Sequence, residues 1–371
     1  VPKVCKEEKR FSHLWYYNKC DEIKSGNNLD INFFKSSEIP WGTKPNRDTL
    51  LYYLFRYLEV ENEFDRAGSK GSKNPYKFEI SLRADDDKTL KKIRKAMNKT
   101  SMLSYLLYED GKITIDEISP KDRFGIMYKD YTQYTSASVG KSLVSYVTGH
   151  AICKGYINGI DHRLSDWPLL ENTLFYDQKL INLLNMATGH QKYADFDLKT
   201  DKYHKNANSN TVEFHLKKGV FKNSKKAKSK YQYTNFLSNL LINYVWFKSD
   251  GEFQDLLDEI FVDKAKIEYD AWFLKMNDRT IKMNNRNNTI LKEYEVTDED
   301  GPLRYSFRAS RYDYLRIAKA MLDDWQNDTC VGKYLKTIRE LRIPKNDTWK
   351  DDNTHDLNSK AYAGKFHTNY A

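Results

Sequence analysis

Two β-rich runs separated by an Asp-Gly pair constrain the fold of this 371-residue chain more than any other feature. The runs span residues 101–108 and 112–118, and Glu109, Asp110 and Gly111 lie between them. A tight hairpin turn needs positive φ at its central residues, which Asp and Gly tolerate. The pattern therefore predicts an antiparallel hairpin, and the fold must contain an antiparallel sheet.

A long helical section follows the hairpin. Val139, Leu143, Val147 and Ala151 recur every four residues and predict one buried stripe, and Gly155 is placed to end that helix. Further helices are predicted at 49–59, 177–186, 236–247, 250–260 and 313–325, the third amphipathic because Ser and Asn interrupt its apolar run. Strands followed by helices favour an α+β fold with an antiparallel sheet.

A polar stretch at 67–75, rich in Gly, Ser and Lys, predicts a loop or a boundary. We therefore predict an N-terminal extension over residues 1–75, packed on or preceding a main domain over residues 76–371.

The net charge of +9 comes from 61 basic and 52 acidic residues. The basic residues are mostly interleaved with Asp and Glu, and no nucleic-acid-binding motif accompanies them, so we predict no nucleic-acid partner. A bias toward Lys can arise from codon usage alone. No run of about 18 apolar residues occurs, so no membrane span is predicted.

The four cysteines show neither a CxxC pair nor a metal-ligand spacing, and no HExxH occurs among the eight histidines. We therefore predict no metal site and no cofactor. Cys153 falls within an apolar helical pattern and is predicted to be a small buried hydrophobe. Cys5 and Cys20 are placed to close a short loop as a disulfide in an oxidising compartment. A periplasmic or secreted location is favoured over a cytoplasmic one.

Ser138 is the only serine of the chain with a lysine three residues later, Lys141. At a helix N-terminus this spacing places both side chains on one face. A neutral lysine amine can then accept the hydroxyl proton as the oxygen attacks a carbonyl. The positive end of the helix dipole stabilises the negative charge that develops.

Two other interpretations compete for the same residues. The Gly-Lys-Ser at 140–142 matches the end of a phosphate-binding Walker A loop, but that motif requires a glycine where the chain has Thr135. The second interpretation is that residues 140–142 simply begin a helix and have no chemical role.

Tyr233 and Asn235 form a Tyr-x-Asn element directly before the predicted helix at 236–247. A phenol near an ammonium ionises more easily and relays protons to a leaving group. Asn235 is suited to accept an N–H from Lys141 or to bind a substrate amide. As an isolated tripeptide, the element is far more typical of a turn and helix cap.

Taken in order, these motifs resemble those of the class C β-lactamase-like and penicillin-binding-protein-type serine hydrolases. The similar segments lie at 138–142, 155–168, 183–190, 230–235 and 309–316, so the resemblance covers about residues 100–371. It implies a β-lactamase/transpeptidase-like α+β fold, in which an antiparallel sheet is flanked by helices and a helical subdomain. The active site is expected between the sheet and the helices.

The resemblance also implies an acyl-enzyme reaction on a small-molecule ester or amide, as in a carboxylesterase or amidase. It assigns Ser138 as nucleophile, Lys141 as general base, Tyr233 as proton relay and Asn235 as a positioning residue. The alternative is a catalytically inactive relative that keeps the fold for binding or scaffolding. A lysine-rich stretch at 217–230 indicates either a solvated loop or a basic rim that attracts anionic substrates.

One family motif is missing. In such hydrolases a late strand carrying Lys-Thr-Gly or His-x-Gly supplies the second oxyanion donor, whereas here residues 367–369 read His-Thr-Asn. We therefore expect either that the natural chain continues past Ala371 with its last strands, or that residues 365–369 substitute for the missing strand.

Overall fold

The computed structural model describes residues 64–100, 102–121, 125, 129–188, 235–276, 281–284, 290–294 and 303–343. Several predictions fall outside this part of the chain: the helix at 49–59, the pairing of Cys5 with Cys20, the lysine-rich stretch, Tyr233 and the segment 365–369.

In chain order, the elements are β1 (Phe64–Ser69), β2 (Glu79–Ile80), α1 (Lys88–Lys99), β3 (Ser104–Glu109), β4 (Lys112–Ile118), β5 (Gln133–Thr135), α2 (Gly140–Cys153), α3 (Leu180–Leu184), α4 (Asn235–Ser249), α5 (Phe253–Asp258), β6 (Ala271–Met276), β7 (Ile281–Asn284), β8 (Ile290–Tyr294), β9 (Leu303–Ser310), α6 (Arg311–Gln326) and α7 (Cys330–Glu340). The main sheet is antiparallel with strand order β1-β6-β9-β5. A smaller sheet has the order β2-β4-β3, and β7 pairs with β8.

The predicted hairpin is confirmed. Strands β3 and β4 pair antiparallel, and the turn between them has φ of 48° at Asp110 and 83° at Gly111. Helix α1 begins at its cap Asp87, whose carboxylate accepts the N–H groups of Thr89 and Leu90. It packs through buried Leu90, Ile93 and Met97 on Ile115 of β4.

The loop prediction for 67–75 is wrong at its start, because β1 continues to Ser69. Gly68 permits this pairing, since a Cβ there would lie 2.1 Å from the carbonyl oxygen of Ala271 on β6. Beyond the strand, Ser72 donates its N–H to Ile267 O at 2.7 Å, so the segment follows the main domain closely. The division at residue 75 stays a prediction.

Helices α2 and α4 form the centre of the core. In α2 the predicted stripe is confirmed at Leu143, Val147 and Ala151. Val139, however, is 60% exposed, because it lies in a 3₁₀ turn before the helix. The amphipathic prediction for 236–247 is wrong, since Asn239 and Asn243 within this range are as buried as its apolar residues.

The other predicted helices differ in length. The one at 313–325 is confirmed as α6, the one at 177–186 shortens to α3, and the one at 250–260 becomes α5 followed by a π-helical segment, Glu259–Lys264. The predicted stop after α2 is confirmed, with φ of 84° at Gly155.

Helix α6 begins with a reciprocal cap. Asp313 donates its N–H to Ser310 Oγ, and the Ser310 hydroxyl donates to the Asp313 carboxylate. That carboxylate also accepts the N–H groups of Glu268 and Tyr269, and Arg316 pairs with it at 2.7 Å. The Ser-x-x-Asp-x-x-Arg portion of segment 309–316 therefore joins α6 to the loop before β6.

Cys153 at the end of α2 forms a disulfide with Cys330 at the start of α7, with Cα atoms 5.9 Å apart. The prediction that Cys153 is merely a small hydrophobe is therefore wrong. Among the residues that the structure describes, no helix is long and apolar enough to cross a membrane.

Candidate active site

Ser138 lies in a short turn between the sheet and helix α2. Strand β5 ends at Thr135, a 3₁₀ turn spans Ala137–Val139, and α2 begins at Gly140. Ala137 has φ of 43°, a left-handed conformation that a residue with a Cβ adopts only when its surroundings enforce it. The result is a sharp change of chain direction that leaves Ser138 partly exposed at the start of the helix.

Two contacts with β9 enforce this turn. Ser136 donates its N–H to Phe307 O at 2.8 Å, and its hydroxyl oxygen accepts the Phe307 N–H at 2.9 Å. Gly140 lies so close to the same strand that a Cβ would be 2.1 Å from Tyr305 O and 2.5 Å from Ser136 Oγ. The residues two positions before and two positions after Ser138 therefore fix the turn that carries Ser138 to the sheet.

Lys141 follows Ser138 by about one helical turn, and its side chain is only 3% exposed. Burial, followed by the positive charge of Arg304, lowers the pKa of Lys141 from 10.5 to about 6. Its Nζ lies 3.4 Å from the centroid of the Tyr305 ring, whose face attracts an ammonium and so offsets part of this effect. Because the pKa remains below 7, the amine is mainly neutral at pH 7, which is the form that can accept a proton.

Two buried asparagines on α4 hold the start of β9 in place. Asn239 Oδ1 accepts the N–H of Tyr305 at 2.9 Å. One helical turn later, Asn243 accepts the N–H of Leu303 and donates to its carbonyl oxygen, both at 2.8 Å. These two side chains supply hydrogen bonds of the kind that a neighbouring strand would otherwise make with the backbone of β9. The aromatic ring beside Lys141 is therefore positioned by the same helix that starts at Asn235.

Of the four predicted site residues, the structure brings Ser138 and Lys141 together at the start of α2. Asn235 is the first residue of α4, which packs against both α2 and β9. Tyr233 lies outside the described residues, so the roles of Tyr233 and Asn235 stay predictions.

Sequence reasoning missed Arg304 and Tyr305, which act on Lys141. It also missed Asn239, which bonds to the backbone of Tyr305. The only signal for them was the pair of asparagines four residues apart within an otherwise apolar helix.

Some backbone N–H donors on β9, the strand that contacts the Ser138 turn, are already bonded. The N–H groups of Tyr305 and Phe307 on β9 are bound by Asn239 and Ser136. Neither of these two groups is therefore free to serve an oxyanion in this arrangement.

Comparison with known proteins identified relatives through structure alone. No family model matches the chain, and no curated protein matches its sequence. Among solved structures, the chain is similar to the Bacillus anthracis protein named "Putative 6-aminohexanoate-dimer hydrolase", with a TM-score of 0.50 and 13% identity over 74% of this chain and 69% of that one.

Further similar structures are an octameric penicillin-binding protein homologue from Pyrococcus abyssi (TM-score 0.45, 15% identity, 71% of this chain and 61% of that one) and a class C β-lactamase (0.42, 15%, 68% and 70%). The first of the three similarities, together with the antiparallel sheet and its flanking helices, confirms the predicted fold. The described part of the chain therefore has a β-lactamase/transpeptidase-like α+β fold.

Proposed function

We propose that this protein is a serine hydrolase that cleaves an ester or amide of a small molecule through an acyl-enzyme, in the manner of a carboxylesterase or amidase. The observation that carries the proposal is the pairing of a partly exposed serine in a strained turn with a buried lysine of lowered pKa three residues later. Perturbed pKa values of this kind cluster at catalytic sites.

In the proposed reaction, Ser138 Oγ attacks the substrate carbonyl while Lys141 accepts the hydroxyl proton. The tetrahedral oxyanion receives a hydrogen bond from the N–H of Ser138 and stabilisation from the positive end of the α2 dipole. Return of the proton to the leaving group yields the ester of Ser138, and water then releases the acyl group. Tyr233 and Asn235 are proposed as the proton relay and as a residue that orients Lys141 or the substrate.

Positive charge near the site supports a substrate that carries a negative charge. Arg304 lies close enough to Lys141 to act on its charge, and the lysine-rich stretch at 217–230 precedes the Tyr-x-Asn element in sequence.

The disulfide between Cys153 and Cys330 supports an oxidising compartment, hence a secreted or periplasmic location.

Labelling with a fluorophosphonate probe tests the proposal. Wild-type protein should be modified once, at Ser138, and Ser138→Ala should not be modified. Ser142→Ala, which removes a serine from the same helix start, serves as the matched control and should label normally. Folded wild-type protein that shows neither labelling nor hydrolysis of activated esters would instead identify an inactive scaffold with this fold.

A further inference from the structure

Helix α1 lies on the small sheet, away from the candidate active site, and its outer side is strongly basic. Its apolar stripe of Leu90, Ile93 and Met97 is buried. At 3.6 residues per turn, the opposite side of the helix carries five exposed lysines, here called the lysine face: Lys88, Lys91, Lys92, Lys95 and Lys99.

Neighbouring acids do not neutralise the lysine face. Asp85 and Glu117 are both engaged by Arg94, at 2.9 and 2.8 Å, and Asp87 caps the helix. Within the part of the chain that the structure describes, none of the five lysines forms an ion pair. Asp86, just before the helix, is one further carboxylate close in sequence. The face therefore presents a concentrated positive charge to an external partner.

We propose that the lysine face docks this protein on an anionic phospholipid surface. Lysines are strongly hydrated point charges suited to a diffuse layer of lipid phosphates and carboxylates. Recognition of nucleic acid relies more on free arginine forks and on aromatic rings that stack with bases. Arg94 is already held by two carboxylates, and α1 contains no aromatic residue.

Co-sedimentation with vesicles tests the proposal. The full chain should bind vesicles containing 30% phosphatidylserine or phosphatidylglycerol and should not bind vesicles of phosphatidylcholine alone. Each surface lysine contributes about fivefold to such partitioning at low ionic strength. Replacing Lys91, Lys92 and Lys95 by Gln should therefore weaken binding on the order of 100-fold. Gln is a good helix former, so the variant should keep the fold.

A control with the same loss of charge separates the lysine face from net charge. Gln at Lys73, Lys121 and Lys333, which are exposed on other parts of the protein, should weaken binding less than tenfold. Equal losses in the two variants would overturn the proposal, as would equal binding to neutral vesicles. Retention on DNA or RNA without binding to anionic vesicles would also overturn it and would assign the face to nucleic acid. Hydrolysis of a soluble ester should be unchanged in both variants.

Discussion

Replacing Cys153 and Cys330 together by serine should destabilise the protein substantially. The disulfide joins residues 177 apart in sequence. In the chain-entropy model, a loop of that length lowers the entropy of the unfolded chain enough to stabilise the folded state by about 5 kcal/mol at 25 °C. Single domains are commonly stable by about 5 to 15 kcal/mol in total. The bond is therefore expected to supply a large share of the free energy of unfolding.

Guanidinium unfolding at 25 °C measures this share, with the wild type and the double serine variant compared under non-reducing conditions. Because the constraint acts on the unfolded chain, the variant should refold more slowly, while its unfolding rate should change less. Serine is close in size to a cysteine, and Cys330 is exposed, so lost packing contributes little. A loss below about 1 kcal/mol, or a loss confined to the unfolding rate, would refute the reasoning from loop length.

Three other predictions follow from the site. Hydrolysis of a neutral ester should rise with pH through an inflection near 6, because only the neutral amine of Lys141 accepts a proton. Arg304→Gln should move that inflection upward, since removing a positive charge favours the ammonium, and an unmoved inflection would contradict the assignment. Gly140→Ala should reduce both activity and thermal stability, since its Cβ would meet Tyr305 O at 2.1 Å; wild-type values of kcat and Tm would show that the turn does not need this close approach. Asn243→Leu should cost roughly 2 to 4 kcal/mol in urea unfolding, because it leaves two buried backbone groups of Leu303 unbonded, whereas Asn98→Leu on the exposed side of α1 should be nearly neutral.

Features set by neighbouring residues could be predicted from the sequence. The hairpin turn depends only on Asp110 and Gly111, and the end of α2 only on Gly155. The placement of Ser138 and Lys141 at one helix start likewise follows from a spacing of three residues. In each case the conformational preference of one or two residues is sufficient, so no knowledge of distant contacts is needed.

Features set by distant residues could not be predicted. The polar residues of α4 indicated a solvated side, but Asn239 and Asn243 are buried because they bond to β9, about 60 residues later in the chain. Cys153 has no partner that spacing identifies, since Cys330 is 177 residues away. The pKa of Lys141 is lowered by burial and then by the charge of Arg304, which comes from β9. The sequence indicated Lys141 as the candidate base, whereas the structure supplies a physical reason why its amine is mainly neutral at pH 7.

A neutral, buried lysine should also reduce the stability of the folded protein, and this effect has a defined pH dependence. The pKa of Lys141 is 10.5 as the ordinary value and about 6 in the folded state. Between these values the unfolded chain binds the additional proton, so stability rises with pH across this range. At pH 7 the cost is on the order of 5 kcal/mol, and it disappears above about pH 10.5.

Lys141→Met removes the titrating group while keeping an unbranched side chain of similar length. It should therefore abolish hydrolysis and stabilise the fold near neutral pH, by several kcal/mol at pH 7 and by much less at pH 10. Urea unfolding of both proteins at pH 7, 8.5 and 10 measures the difference, with Lys91→Met on the exposed side of α1 as a control that should show no trend with pH. A difference that stays constant over this range would mean that Lys141 is protonated in the folded protein. In that case a different group would have to accept the proton of Ser138.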